Sequence, residues 1–324
     1  MKSCYMNLSK SYLLFTLGLC LVTCISCKKT DAQSPSSDFI KPTVSSLAKV
    51  ALVPVKGALL GHFYGSGTIS ETDARIGKHP QIHLSYYGWS DHWAKDEATT
   101  QDFTDGRIPL INWEPFDVKF ADIINGKYDK QISLQADEAK GLGKRFFLDF
   151  AAEMNEEEGW GGHNPDLYIK AYRHIHDIFV SRGATNAVWV WCPNNVDSPD
   201  APTAMQYYPG DTYVDWVGAD GYNWGTSDSD HEWETFYNVF KDIYTKIAAT
   251  GKPVIIGEMA SDEVGGDKAK WISEIIPTLK NQFPAIKAVV WFDVDKERHW
   301  QINSTQKSLD AYRNMAKDPY FNIH

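Results

Sequence analysis

Eight short apolar runs between residues 59 and 292 constrain the fold of this chain more than any other feature of its sequence. They are rich in β-branched and aromatic residues, as strands buried on both faces are. The runs lie at 59–64, 82–87, 108–113, 145–150, 187–192, 214–219, 253–257 and 286–292. Loop residues and usually a helical pattern follow each run, which is typical of a parallel sheet wrapped in helices. The sequence therefore predicts an α/β fold, a single (β/α)8 TIM barrel.

The helical patterns are clearest in the second half of the chain. Residues 167–178 and 231–250 carry apolar side chains at spacings of three and four, the period of a helix with one buried face. In the first half, the sequence predicts only short helices at 71–77 and 96–103. The first two strand-helix units are therefore the least regular part of the predicted barrel.

Two glutamates follow apolar runs, at positions where a buried strand has no structural need for a carboxylate. Glu153 follows the run 146–152, and Glu258 follows the run 253–257. Because barrel enzymes carry their active sites at the C-terminal ends of the strands, the fourth and seventh strands would bring these acids together. Two carboxyl groups about 5–5.5 Å apart are what retaining glycoside hydrolysis requires. The alternative interpretation is that each glutamate only pairs with a lysine or arginine.

The two glutamates are predicted to differ in role because their surroundings must differ. Glu258 would stay ionised through hydrogen bonds, one of them donated by Tyr222 at the end of the sixth strand, and would act as nucleophile. Glu153 would stay protonated in less polar surroundings and would act as acid/base.

Aromatic and amide side chains near the strand ends predict a sugar-binding cleft. Aromatic rings offer apolar faces to sugar rings, and amide groups hydrogen-bond the hydroxyls. The candidate substrate-binding residues are Trp113, Asn155, Trp160, Tyr222, Trp224 and Trp291. For any one of the tryptophans, the alternative is packing in the core.

The sequence predicts no metal and no cofactor. The acidic segment 228–232 lacks the spacing of a calcium loop, and His174 and His176 point apart on one helix. Cys192 is predicted to be a packed thiol.

Residues 1–27 resemble an export signal, because lysines and a short apolar segment are followed by small residues. The apolar segment is too short to span a membrane. Cys27, or alternatively Cys24, stands where bacterial lipoproteins carry their lipidated cysteine. The sequence therefore predicts an exported protein that is lipid-anchored to the bacterial cell envelope.

The rest of the chain divides into a flexible linker at 28–50 and a catalytic barrel at 51–324. Removal of Lys2 and Lys10 with the signal leaves 30 of the 32 basic side chains against 42 acidic ones, a net charge of −12. Nucleic acid and anionic polymers are therefore poor partners. The predicted partner is a neutral polysaccharide or oligosaccharide, the membrane is contacted only through the lipid anchor, and the chain is a monomer.

Several segments are more specific than the fold requires. They are Trp113-Glu114-Pro115, Glu153-Met154-Asn155, 183–190, 208–216, 220–225, Gly257-Glu258 and Trp291-Phe292. In these segments the chain resembles glycoside hydrolase family 26, which contains β-mannanases, lichenases and β-1,3-xylanases. The resemblance covers residues 59–316 and looks closest to the lichenase branch at 265–272 and 296–304. It implies a (β/α)8 barrel, acid/base Glu153, nucleophile Glu258 in contact with Tyr222, and Trp291 as a sugar platform.

The chain departs from this family in front of the acid/base. Members normally carry Arg-Pro-x-His there, whereas this chain has Asp149, Phe150, Ala151 and Ala152. The predicted function is a retaining endo-glycanase acting on a neutral β-linked polysaccharide, first mixed-linkage β-1,3-1,4-glucan and second β-1,4-mannan. The alternative is a catalytically impaired, carbohydrate-binding lipoprotein on the same barrel.

Overall fold

The computed structural model describes residues 51–65, 67–156, 160 and 162–321. Eight parallel strands close into a barrel in sequence order, from β1 beside β2 round to β8 beside β1. The strands are β1 (Leu59–Phe63), β2 (Ile82–Gly88), β3 (Ile108–Glu114), β4 (Phe146–Phe150), β5 (Ala187–Trp191), β6 (Trp216–Asn223), β7 (Val254–Ser261) and β8 (Ile286–Phe292). The predicted (β/α)8 barrel is thus confirmed. The predicted signal, linker, Cys24 and Cys27 lie outside the described residues.

Helices follow the strands and pack outside the sheet. They are α1 (Ile69–Ile76), α2 (Glu97–Thr104), α3 (Phe120–Ile124), α4 (Asp129–Gly141), α5 (Pro165–Arg182), α6 (Phe236–Ala248), α7 (Lys268–Asn281) and α8 (Gln306–Lys317). Even the short α1 has a defined start, because Thr68 and Glu71 form a reciprocal capping box. The two short helices predicted in the first half, at 71–77 and 96–103, are present as α1 and α2.

Alternation along the strands separates the barrel interior from the layer that faces the helices. Inward positions form one apolar cluster, which includes Leu84, Leu110, Phe147 and Ile255. The larger cluster between sheet and helices holds most of the remaining buried aromatic residues. Nearest the C-terminal strand ends, four elements contribute polar residues to the barrel interior. This polar layer lies directly beneath the cleft described below and forms its floor.

A β-bulge sets the direction of Glu258 on β7. Ala219 of β6 pairs with Ile256, and the next residue, Asp220, pairs with Glu258, so Gly257 has no partner on β6. Such an extra residue turns the side chains that follow it. Glu258 therefore lies inside β7, whereas the sequence placed it just beyond a strand that ended at Gly257.

The N-terminal end of the barrel is closed by the first described residues. Ala51, Leu52 and Val53 pack against the inward cluster. The Trp216 indole N–H, at the first residue of β6, donates to the carbonyl oxygen of Ala51 at 2.9 Å. Within the described ranges, no helix has the length and apolar character needed to cross a membrane.

Candidate active site

A cleft of about 470 Å³ opens at the C-terminal ends of the strands. It is lined by Phe63, Tyr86, Asn112, Glu114, Ala152, Glu153, Glu156, Trp160, Glu258, Phe292, Val294 and Lys296. Both glutamates selected from the sequence are among these residues. A groove of about 600 Å³ between α7 and α8 is larger, but it lies on the outside of the barrel, away from the strand ends.

Glu258 is held by two phenol groups. The Tyr86 hydroxyl donates to its Oε1 at 2.5 Å, and the Tyr222 hydroxyl donates to its Oε2. Burial raises the pKa of Glu258, and the two phenol hydrogen bonds oppose that rise. The hydrogen bond expected from Tyr222 is therefore present, and Tyr86 supplies a second one.

Glu153 lies in the loop after β4, with a left-handed backbone (φ 56°). Its N–H donates to the Cys192 carbonyl oxygen at 2.8 Å, which ties the loop to the end of β5. Its Oε1 accepts one hydrogen bond from Asn194 Nδ2 at 2.7 Å. Burial, and then the charge of Glu258, raise the pKa of Glu153 well above its usual range. This carboxyl group is thus biased toward its protonated form.

Asn155 is linked to Glu153 through Asn194. It is fully buried, its Oδ1 accepts from the backbone N–H of Asn194 at 2.8 Å, and its Nδ2 donates to Asp197 Oδ1 at 3.0 Å. Because Asn194 is the hydrogen-bond partner of Glu153, Asn155 positions Asn194 and, through it, the Glu153 carboxyl group. The prediction that Asn155 contacts substrate directly is wrong, since no part of it reaches the cleft.

Two predicted sugar platforms are also wrong. Trp113 and Trp291 are fully buried. Trp113 stacks on Trp89 at 4.7 Å between sheet and helices, and Trp291 donates its indole N–H to the Trp300 carbonyl oxygen at 2.9 Å. Each residue faces outward on its strand, so its ring fills the core and cannot lie against a sugar ring.

The remaining aromatic candidates lie nearer to the cleft. Trp160 lines it, and its indole N–H donates to the Ala152 carbonyl oxygen at 2.7 Å. Phe116, 55% exposed, packs edge-on against Trp160 at 5.1 Å. Trp224 does not line this cleft; His231 stacks on its ring at 5.1 Å. Its role in substrate binding stays a prediction.

Several residues of the site were not predicted from the sequence. They are Tyr86, Asn112 and Lys296. Two of them carried a readable signal: Tyr86 and Asn112 stand at inward positions of apolar strands, two residues after Leu84 and Leu110. A polar group at such a position near a strand's C-terminal end points into the cleft.

The cleft is strongly acidic. Burial, and then the charge of Glu258, raise the pKa of Glu114 to about 7. Burial also raises the pKa of Asp220 well above its usual range, with Glu258 and Glu153 adding to the effect. Lys296 lines the same cleft and pairs with Glu297 at 2.8 Å. Within the described part of the chain, no group of His, Cys, Asp and Glu is arranged to hold a metal ion.

Comparison with known proteins relates this barrel to polysaccharide hydrolases. Endoglucanase H of Acetivibrio thermocellus is 37% identical over 267 residues, which are 79% of this chain and 30% of that protein. Beta-1,3-xylanase TXYA of a Vibrio species is 24% identical over 206 residues, which are 58% of this chain and 44% of that protein. The chain thus matches less than half the length of each of these relatives.

A solved structure of similar fold is the modular endo-β-1,4-mannanase of Cellulomonas fimi. Its TM-score is 0.61 at 15% identity, covering 86% of this chain and 75% of that one. At this level of identity, the likeness shows the fold alone. Residues 120–319 match the family described as Glycosyl hydrolase family 26. Because this match covers more than half of the chain and includes both Glu153 and Glu258, the chain belongs to glycosyl hydrolase family 26.

Proposed function

We propose that this protein is a retaining endo-glycanase that hydrolyses a neutral β-linked polysaccharide. The observation that carries the proposal is the pair Glu153 and Glu258, which line one cleft in different hydrogen-bonding surroundings. A carboxylate that accepts two phenol hydrogen bonds is stabilised as an anion. A buried carboxyl next to that anion retains its proton.

The reaction would run as a double displacement. Glu258 attacks the anomeric carbon while Glu153 gives its proton to the departing glycosidic oxygen, which leaves a covalent glycosyl ester on Glu258. Glu153, now ionised, takes a proton from a water molecule, and the hydroxide portion of that water displaces Glu258 from the anomeric carbon. Both carboxyl groups return to their starting protonation states. The required separation of about 5–5.5 Å stays a prediction.

Mixed-linkage β-1,3-1,4-glucan is the first proposed substrate, and β-1,4-mannan is the second. The relative with 37% identity over most of this chain is named as an endoglucanase, which supports a glucan. The acidic lining of the cleft disfavours anionic glycans, since their carboxylates would meet Glu114, Glu156 and Glu258.

The proposed localisation follows from the sequence: the protein is exported and anchored through a lipid on Cys27 or Cys24.

The deciding experiment is reducing-sugar release from barley β-glucan, β-mannan, β-1,3-xylan and laminarin, combined with NMR of the first product formed. We expect cleavage of barley β-glucan with short oligosaccharides as early products, and the β-anomer as the first product. An initial α-anomer would overturn retention, and release of single sugars from chain ends would overturn endo action.

One observation favours a second candidate, a carbohydrate-binding lipoprotein with impaired catalysis. The cation and imidazole expected before Glu153 are replaced by Asp149 and Ala152. Binding of a polysaccharide by calorimetry, without hydrolysis of any glycan in the panel, would select this candidate over the enzyme.

A further inference from the structure

The floor of the cleft is an unusual layer of buried polar side chains. Asn112 on β3, Asp149 on β4, Cys192 just after β5 and Asp220 on β6 occupy successive inward positions near the C-terminal strand ends. They are 4%, 5%, 0% and 1% exposed. Cys192 Sγ donates to Asp220 Oδ1 at 3.2 Å, so those two form one pair. Asn112 and Asp149 are the other two, and neither has such a contact.

Asn112 and Asp149 are direct neighbours in the sheet. Their Cα atoms are partners in the parallel pairing of β3 with β4, and such strands lie about 4.8 Å apart. Each side chain has a fully buried Oδ1 without a hydrogen-bond partner among the described residues. Buried polar atoms in folded proteins are nearly always satisfied. A single proton held between these two neighbouring acceptors would satisfy both of them.

The surroundings of Asp149 decide which group holds that proton. The groups that interact with it electrostatically are Glu114 of β3, Cys192 after β5, Asp220 of β6 and Glu258 of β7. From the helical layer, Tyr168 and Tyr172 of α5 face it. Every one of these groups is neutral or negative. Burial, and then the charges of Glu258 and Glu114, raise the pKa of Asp149 well above its usual range.

Asn112, unlike Asp149, reaches the cleft. Its amide makes no side-chain hydrogen bond to another described residue, so the group is available to a ligand. We propose that Asn112 contacts the sugar in the cleavage subsite, and that the Asp149 carboxyl group donates to Asn112 Oδ1 and thereby turns its Nδ2 toward a sugar oxygen. Asp149 is then a positioning residue. This inference rests on the proposed glycanase function for its substrate, but the pair itself does not depend on it.

The pair of Asn112 and Asp149 accounts for the absence of the arginine that the family resemblance predicts at position 149. A protonated carboxyl and an amide give a neutral floor with one fixed donor, which suits an uncharged sugar hydroxyl. An ionised Asp149 would lie close to Glu258 and would oppose the negative charge that the nucleophile must carry.

Infrared difference spectroscopy tests the pair without any need for activity. At neutral pH, wild type minus Asp149→Asn should show the carbonyl band of a protonated carboxylic acid. That band should shift in the Asn112→Ala background, because its hydrogen-bond acceptor is gone. A carboxylate band in place of the acid band would overturn the inference, since an ionised Asp149 would instead accept from a rotated Asn112 amide.

Kinetics then test the positioning role. Asp149→Asn keeps a donor and should retain kcat/KM on the best glycan within about threefold, whereas Asp149→Leu should lose about tenfold, the worth of one hydrogen bond. Asp149→Leu should cost nothing further in Asn112→Ala, because the positioned group is already absent. The matched control is Phe147→Leu, two residues earlier on the same face of β4, whose effect should add to that of Asn112→Ala.

The outcomes separate the two proposals. An acid band in a wild-type protein that cleaves no glycan would uphold the pair and overturn the glycanase function. Cleavage by wild type together with additive losses for Asp149→Leu and Asn112→Ala would overturn the positioning role. Should Asp149→Leu fail to fold, the infrared spectra of Asp149→Asn still decide whether the pair exists.

Discussion

At the scale of single residues, the site rests on the contrast between Glu258 and Glu153. Two phenol hydroxyls donate to Glu258, and one amide donates to Glu153. Charge-assisted hydrogen bonds of this kind are stronger than neutral ones and favour the ionised form of the acceptor. The contrast supports the proposed roles of Glu258 as nucleophile and of Glu153 as acid/base.

Removal of each carboxyl group should therefore have a different consequence. Glu258→Ala should abolish turnover of all substrates, because no other group can form the ester. Glu153→Ala should retain activity on aryl glycosides with a good leaving group, which departs without protonation. Assays on barley β-glucan and on a dinitrophenyl glycoside check this; equal losses on the aryl substrate would contradict the assigned roles.

The phenol groups should control the acidic limb of the pH profile. Tyr86→Phe removes a donor to the Glu258 anion, which raises the pKa of Glu258 and moves the acidic limb of kcat/KM upward by about one to two pH units. Tyr87→Phe is the matched control, since Tyr87 faces outward and its hydroxyl contacts Thr99 at 3.0 Å. An unmoved limb in Tyr86→Phe would show that this hydrogen bond does not tune the nucleophile.

At the scale of elements, the bulge in β7 sets the direction of the Glu258 side chain. Gly257 has no partner on β6, and a Cβ atom built on it would lie 2.6 Å from Asp220 Oδ1 and 2.9 Å from Cys192 Sγ. The absence of a side chain there lets β7 pass close to the floor of the cleft. Only glycine fits this approach without displacing the buried polar layer.

Gly257→Ala should consequently destabilise the protein by about 1–3 kcal/mol, as overpacking of a core does, and should lower kcat through displacement of Glu258. Gly141→Ala provides the control, because a Cβ at Gly141, the last residue of α4, meets nothing within 4 Å. Urea denaturation and steady-state kinetics of both variants measure the effect. Equal stability of the two variants would contradict this prediction, because Asp220 and Cys192 would then move aside at no cost in free energy.

At the scale of the whole molecule, the acidic cleft links stability to pH. Folding raises the pKa of Glu114 to about 7, and those of Asp149, Glu153 and Asp220 well above their usual range. Between about pH 4, where these groups titrate in the unfolded chain, and their folded pKa values, the folded protein binds more protons. The free energy of unfolding contributed by these groups must then fall as pH rises through this window.

We therefore expect a lower melting temperature at pH 8 than at pH 5. Asp149→Asn, which cannot ionise, should gain stability relative to wild type at pH 8 and much less at pH 5. Calorimetry at the two pH values checks this. An Asp149→Asn protein less stable than wild type at pH 8 would contradict a raised pKa at this position.

The predicted lipid anchor belongs to the segment that precedes the barrel in the sequence. Residues 51–53 close the end of the barrel opposite the cleft. Metabolic labelling with palmitate should mark the wild type and fail in Cys27→Ala; persistent labelling in that variant would point to Cys24.

The barrel and the two acids could be predicted from the sequence, because these depend on short-range patterns. Each strand is a local apolar run, and Glu153 and Glu258 each follow such a run directly. All eight strands are present, and β8 was predicted with its observed ends, whereas β6 and β7 end at Asn223 and Ser261, beyond their predicted ends at 219 and 257. Family membership also followed from contiguous motifs, which a single chain displays without its fold.

Apart from Tyr222, the residues that surround the acids depend on the tertiary structure. Tyr86, Asn112 and Asn194 come from three different strand ends, and only closure of the barrel brings them to Glu258 and Glu153. It also decided that Trp113 and Trp291 are core residues, since a tryptophan beside a strand end can point to either face. The bulge at Gly257 settles the direction of Glu258, and bulges arise from the register between strands, which is a property of the sheet and not of any one run.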